Sequence, residues 1–131
     1  MAKPAVKSKK KKVLEHVAHM SIAIFASFNN TIITASNASN GQVIAWTSSG
    51  HVGFKGAKKG TPYAATMAMK ELLDKLIPLH PETVSVAASG AGNGRDAALR
   101  ALSGSGLKVL KIVDSTPLPH NGCRPKKVRK P

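Results

Sequence analysis

Residues 17–47 read VAHMSIAIFASFNNTIITASNASNGQVIAWT, and the periodicity of this stretch decides the fold. Met20, Ile22, Ile24, Ala26 and Phe28 alternate with His19, Ser21, Ala23, Phe25 and Ser27, which predicts a β-strand over residues 17–28. Asn29-Asn30 then predicts a turn, since asparagine tolerates left-handed backbone angles. The β-branched run from Thr31 to Ala35 resumes a strand, Asn40-Gly41 is a strong hairpin signal, and residues 43–47 supply a third strand. The product is an antiparallel meander with Phe28 and Trp46 expected in its core.

Beyond the meander the period changes. Residues 48–60 form a loop in which Gly50, Gly53, Gly56 and Gly60 interleave with His51, Phe54, Lys55, Lys58 and Lys59. Thr61-Pro62 places a hydroxyl at a helix cap and a proline in the first turn, where its missing N–H costs nothing. Ala65, Met69, Leu72, Leu73, Leu76 and Ile77 continue a helical stripe that Pro78 ends. Residues 82–88 predict a strand, residues 95–102 a short helix stopped by Gly104 and Gly106, and residues 108–113 a last strand. Its apolar residues on both faces predict cover on both sides. The order β-β-β-α-β-α-β is that of an α/β layer fold with two strands added through helical crossovers.

Of 131 residues, 20 are Lys or Arg and 6 are Asp or Glu, and the placement of those charges is uneven. Residues 1–12 hold six lysines, among them the block Lys9, Lys10, Lys11 and Lys12, and no acid. Residues 120–131 hold Arg124, Lys126, Lys127, Arg129 and Lys130, again without an acid. A near-neutral body, residues 13–119, thus carries two cationic arms that repel themselves, bury little and are expected to be disordered until they meet a polyanion. A single tail of this kind reads most simply as a solubilising extension; two tails favour a nucleic-acid partner.

No apolar run approaches the roughly 20 residues of a membrane span. The N-terminal lysine block has no apolar face, unlike an Arg-rich amphipathic transit peptide, and no secretory signal is seen. The lone Cys123 cannot form an internal disulfide and points to a reducing compartment. One soluble domain, without cofactor or metal, is expected.

Gly90-Ala91-Gly92-Asn93-Gly94 follows a strand and opens a helix, and Asp114 ends the next strand, which imitates a dinucleotide fingerprint. The third glycine comes one residue early, however, and only one strand-helix-strand unit is present. The helix N-terminus with Arg95 beside it can still attract a phosphate, including one of RNA, while the plainer reading is a tight turn with no ligand. His16 and His19, like His120 and Cys123, stand three apart. Residues three apart on a strand face opposite ways, so the first pair should not chelate. Cys123 lies in a tail without a pocket, and the six acids are scattered, so no catalytic group is expected. Phe54 and Tyr63 flank the basic loop and are candidates for stacking on a base.

The tail Asp114-Ser115-Thr116-Pro117-Leu118-Pro119-His120-Asn121-Gly122-Cys123-Arg124-Pro125-Lys126-Lys127 closely resembles the C-terminal signature of the small-subunit ribosomal protein eleven family. Phe28-Asn29-Asn30-Thr31, Gly53-Phe54-Lys55-Gly56, Lys58-Lys59, Thr61-Pro62-Tyr63-Ala64-Ala65 and Gly94-Arg95 match in order, so the resemblance spans about 100 residues. It implies a three-layer α/β fold with a mixed five-stranded sheet. It also implies a structural, non-enzymatic role on the platform of the small subunit of a cytoplasmic or organellar ribosome. There the chain would bind ribosomal RNA beside ribosomal proteins seven and eighteen, not as a homo-oligomer. The RNA contacts it implies are Asn29, Asn30, Lys55, Lys58, Lys59, Arg95 and the tail from His120 and Asn121 through Arg124, Lys126 and Lys127. Charge adds Lys9 to Lys12, Arg129 and Lys130. Ala91 and Asn93 stand where the family usually has prolines, which implies a less rigid glycine loop. Asn121 before Gly122 is a position linked in the family to isoaspartate formation. Two other readings stay open on the residues alone: a non-ribosomal nucleic-acid chaperone, and a small nucleotide-binding enzyme at Gly90 to Gly94.

Overall fold

The computed structural model describes residues 18–79 and 81–130. Five strands form one mixed sheet in the order β3-β2-β1-β4-β5, namely β1 (His19–Ala26), β2 (Thr31–Asn37), β3 (Val43–Ser48), β4 (Thr83–Ser89) and β5 (Lys108–Asp114). β1, β2 and β3 are the predicted antiparallel meander, while β4 joins β1 and β5 joins β4 in parallel. α1 (Pro62–Leu76) carries the chain from β3 to β4 and α2 (Gly94–Ser103) from β4 to β5, because strands that run the same way need a crossover long enough to return the chain.

Alternation sets the core. Met20, Ile22, Ile24 and Ala26 of β1, Ile33 and Ala35 of β2, and Val84, Val86 and Ala88 of β4 are buried together. All but Ala26 meet Ala65, Ala68, Met69, Leu72 and Leu76 of α1 and Ala98 and Leu102 of α2 in one cluster. Each large side chain among them contributes about 1.5–3 kcal/mol through removal from water. Thr47 of β3, also buried, donates its hydroxyl to the Ala68 carbonyl at 2.9 Å and so ties the sheet edge to α1 without leaving an unpaired polar group.

The predicted α/β class, the mixed five-stranded sheet with its flanking helices and the element order are all present. Both helices pack against the same sheet face and against each other, and among the described residues no helix lies on the face carrying Ser21, Ala23, Phe25, Ile32, Thr34, Ser85 and Ala87. Three expectations are corrected. β5 is an edge strand, with Leu110, Ile112 and Val113 exposed, because its outer side has no neighbour among the described residues. Trp46 is 51% exposed on the opposite edge strand, its ring 4.9 Å from His51, since the residue that faces α1 is Thr47. Phe28 is 79% exposed, because β1 ends at Ala26 and the chain has already turned.

Helix α1 begins as predicted. Thr61 accepts from the Ala64 N–H, and Pro62 occupies the first turn. It ends at Leu76, and Ile77 passes into a short 3-10 turn with its side chain in solvent.

Candidate nucleic-acid interface

β1, β3, β4 and β5 all run the same way, so their carboxyl ends lie along one edge of the sheet. The β1–β2 turn, the basic loop after β3, the glycine loop after β4 and the tail after β5 all leave from that edge. Topology alone therefore gathers segments spread over nearly 100 residues of chain, at the end of an open α/β sheet where ligands are usually met.

The β1–β2 turn is the fixed point of this edge. The Ser27 N–H donates to the Asn30 carbonyl at 2.9 Å, the Asn30 N–H to Ser27 Oγ at 3.1 Å, and the Thr31 N–H to Asn30 Oδ1 at 2.9 Å. Asn30 thus shapes the turn through its side chain rather than through a left-handed backbone; Asn121 is the one non-glycine residue with positive φ among those described. Two glycine segments press on the turn from either side. A Cβ at Gly60 would stand 2.3 Å from the Phe28 carbonyl oxygen, and one at Gly92 would stand 2.2 Å from that of Ser27. Phe28 and Asn29 project into solvent from the clamped backbone.

The basic loop reaches the same place. After Gly53 and Gly56, both at positive φ, residues Gly56–Gly60 wind one 3-10 turn that presents Lys58 and Lys59, with Lys55 at its cap. Lys55 and Lys58 are exposed, and the Lys59 stem is half-buried against Gly50. Thr61 Oγ1 donates to the Lys58 carbonyl at 2.7 Å, which joins the loop to the cap of α1. Phe54 and Tyr63 meet edge-to-face with centroids 5.8 Å apart, and Tyr63 is largely exposed.

The glycine loop does not form an open phosphate cradle. A Cβ at Gly90 would stand 2.2 Å from the Ala26 carbonyl and one at Gly94 2.2 Å from Thr31 Oγ1, so with Gly92 the three glycines serve close packing. The Gly92 N–H is already donated to the Ala26 carbonyl at 2.9 Å. Arg95 and Asp114, the pair that imitated a dinucleotide site, bind each other at 3.0 Å. The ring closes through Thr116. Arg95 donates to the Gly90 carbonyl, the Gly90 N–H to Thr116 Oγ1, and the Thr116 hydroxyl and N–H to Asp114 Oδ1 at 2.6 and 3.0 Å. Those two Thr116 bonds, and then Arg95, hold the Asp114 carboxyl down at about 2.

Past Thr116 the tail has no helix or strand up to residue 130. His120, Asn121, Arg124, Lys126, Lys127, Arg129 and Lys130 are all exposed, as is Cys123. Lys9, Lys10, Lys11, Lys12 and His16 lie outside the described residues. Thr116 and Ser27 were missed as organisers of this edge; their hydroxyls carry no pattern, and only the fold gives them partners.

Comparison with known proteins gives the family. The sequence profile for ribosomal protein S11 matches residues 20–130. The chain belongs to the ribosomal protein S11 family. It is 50% identical over 123 residues to small ribosomal subunit protein uS11 of Thermus thermophilus, covering 94% of this chain and 95% of that one. It is 48% identical over 130 residues to uS11 of Porphyromonas gingivalis, at 99% of both chains. With uS11 of Francisella tularensis subsp. novicida it shares 46% over 130 residues, again at 99% of both. Family membership replaces the enzyme-like reading of residues 90–94 with the structural one that the glycine contacts already supply.

Proposed function

We propose that this chain binds small-subunit ribosomal RNA through the carboxyl edge of its sheet and both basic arms, by placement without chemistry. As a member of its family it is a structural protein of the small ribosomal subunit and serves translation. Ribosomal RNA and other ribosomal proteins are its partners. The finer reading, a seat on the platform beside proteins seven and eighteen in a cytoplasmic or organellar ribosome, follows the family resemblance.

The observation that carries the proposal is the convergence of Asn29, Lys55, Lys58, Lys59 and the exposed tail on one edge. Residues 18–130 include no helix long and apolar enough to cross a membrane, and no group of three or more metal-ligating side chains, among the described residues. The fold docks by shape, and the cations of residues 1–12 and 120–131 neutralise phosphates in crevices that the body cannot enter. Arg95 acts differently. With its guanidinium held by Asp114 and Gly90, it aims the tail and does not lead the contact with phosphate. Asn30 likewise shapes the turn on which Asn29 is displayed. Asn121-Gly122, exposed and with Asn121 at φ 66°, is open to the succinimide chemistry that yields isoaspartate.

Counterion release supplies the test. If arms and loop cover about 6–10 phosphates, binding to a small-subunit RNA fragment falls about 10³–10⁵-fold between 50 and 200 mM salt. Deleting residues 1–12 and 120–131 should flatten that slope; an unchanged slope refutes the role of the arms. A general nucleic-acid chaperone would bind unrelated RNA equally well in competition, and a nucleotide-binding enzyme would be stabilised against heat by free dinucleotide.

A further inference from the structure

We infer that Phe28 is a stacking platform for one unpaired base of the RNA, a contact separate from the phosphate contacts of the lysines. The inference rests on the RNA-binding reading above and deepens it. A single exposed apolar side chain is ordinary on a protein surface. The backbone beneath this one is not. Phe28 sits at the tip of the β1–β2 turn with its side chain 79% exposed. Its carbonyl is in close contact with Gly60, and the preceding carbonyl is in close contact with Gly92. Hydrogen bonds between Ser27 and Asn30 close the turn around it. A large aromatic ring is thus carried in water on a backbone with almost no freedom left, and binding a flat partner orders only two side-chain torsions.

The surroundings select the partner. Gly60 ends the 3-10 turn that holds Lys58 and Lys59, so cations approach the same turn from one side, and Asn29 follows in the chain with its amide in solvent. An apolar ring with lysines close by matches a nucleotide, whose base offers a π-face and whose phosphate offers a charge. The base must be unpaired, because a paired base keeps both faces stacked within its helix.

The test uses the full chain with a small-subunit ribosomal RNA fragment, no other protein present, between 50 and 200 mM salt. Removing a stacking ring costs roughly 5- to 150-fold in affinity. Phe28→Ala and Phe28→Leu should both lose on that scale, while Phe28→Tyr should stay within about threefold of the parent. All four salt slopes should be parallel, since no charge is altered. Thermal melting should not move, because the ring is already in solvent. Parent-like affinity in Phe28→Ala overturns the inference, and so does parent-like affinity in Phe28→Leu, which would show that any apolar contact suffices. If the parent chain itself shows no salt dependence, the RNA-binding reading fails instead, whatever Phe28 does.

Discussion

Arg95 Nη2 lies 3.0 Å from Asp114 Oδ2, which joins the first turn of α2 to the last residue of β5. The guanidinium also donates to the Gly90 carbonyl, so the charge that sequence offered to a phosphate is already engaged within the protein. Arg95→Ala should therefore weaken RNA binding without lowering the salt slope. Lys58→Ala, by contrast, should lower the slope by about 0.7–0.9 units, the share of one phosphate contact. Asp114→Asn gives the sign that decides: a freed Arg95 tightens RNA binding if it is a phosphate ligand and weakens it if the pair serves to aim the tail. We expect weakening, measured by filter binding, with faster hydrogen exchange at the Thr116 amide.

The Asp114 carboxyl titrates at about 2 in the folded chain, below its ordinary 3.8, through Thr116 first and Arg95 after. A depressed acid contributes stability that is complete above its unfolded pKa and is lost as pH falls through the folded one. The contact should thus be indifferent to pH from about 5 upwards and loosen only as the solution approaches pH 2. Carbon-detected NMR titration should find Asp114 ionised at pH 3, and Thr116→Val should raise its pKa toward the ordinary value.

Gly92→Ala and Gly41→Ala separate crowding from backbone conformation. A methyl at Gly92 meets the Ser27 carbonyl, so the substitution should cost on the order of 1–3 kcal/mol or more and disturb the β1–β2 turn. At Gly41, in the β2–β3 hairpin at φ 74°, nothing lies within 4 Å, and only the left-handed backbone opposes alanine, at about 1–2 kcal/mol. Urea denaturation should rank them in that order, with the RNA affinity of the Gly41 variant unchanged.

Thr61 caps α1 and donates to the Lys58 carbonyl, so Thr61→Ala removes two hydrogen bonds. A loss of about 1 kcal/mol in stability is expected. Because the second bond anchors the basic loop, RNA affinity should fall as well; a stability loss alone would mean that the loop holds its shape without it.

The fold was readable because its strands alternate and its helices carry caps, both local signals. Asn40-Gly41 gave the hairpin, Thr61-Pro62 the start of α1, and Gly104 the end of α2. What local pattern missed was cover. Trp46, Phe28 and the apolar run of β5 read as core on composition, yet their exposure depends on which strands fall at the edges and which face the helices share. The site divided the same way. The lysines of residues 55–59 and the tail were legible as charge, whereas the Arg95–Asp114–Thr116 ring joins residues that no spacing rule connects.

β5 has consequences for the chain before it is housed. Among the described residues no strand pairs with its outer side, which leaves a row of peptide N–H and C=O groups, beside exposed Leu110, Ile112 and Val113, for a passing strand to meet. Lys108 and Lys111 break that row with positive charge, so two copies meeting edge to edge repel each other. Neutralising both should leave the folded monomer intact and turn it into a seed for self-association, visible as turbidity that rises with concentration.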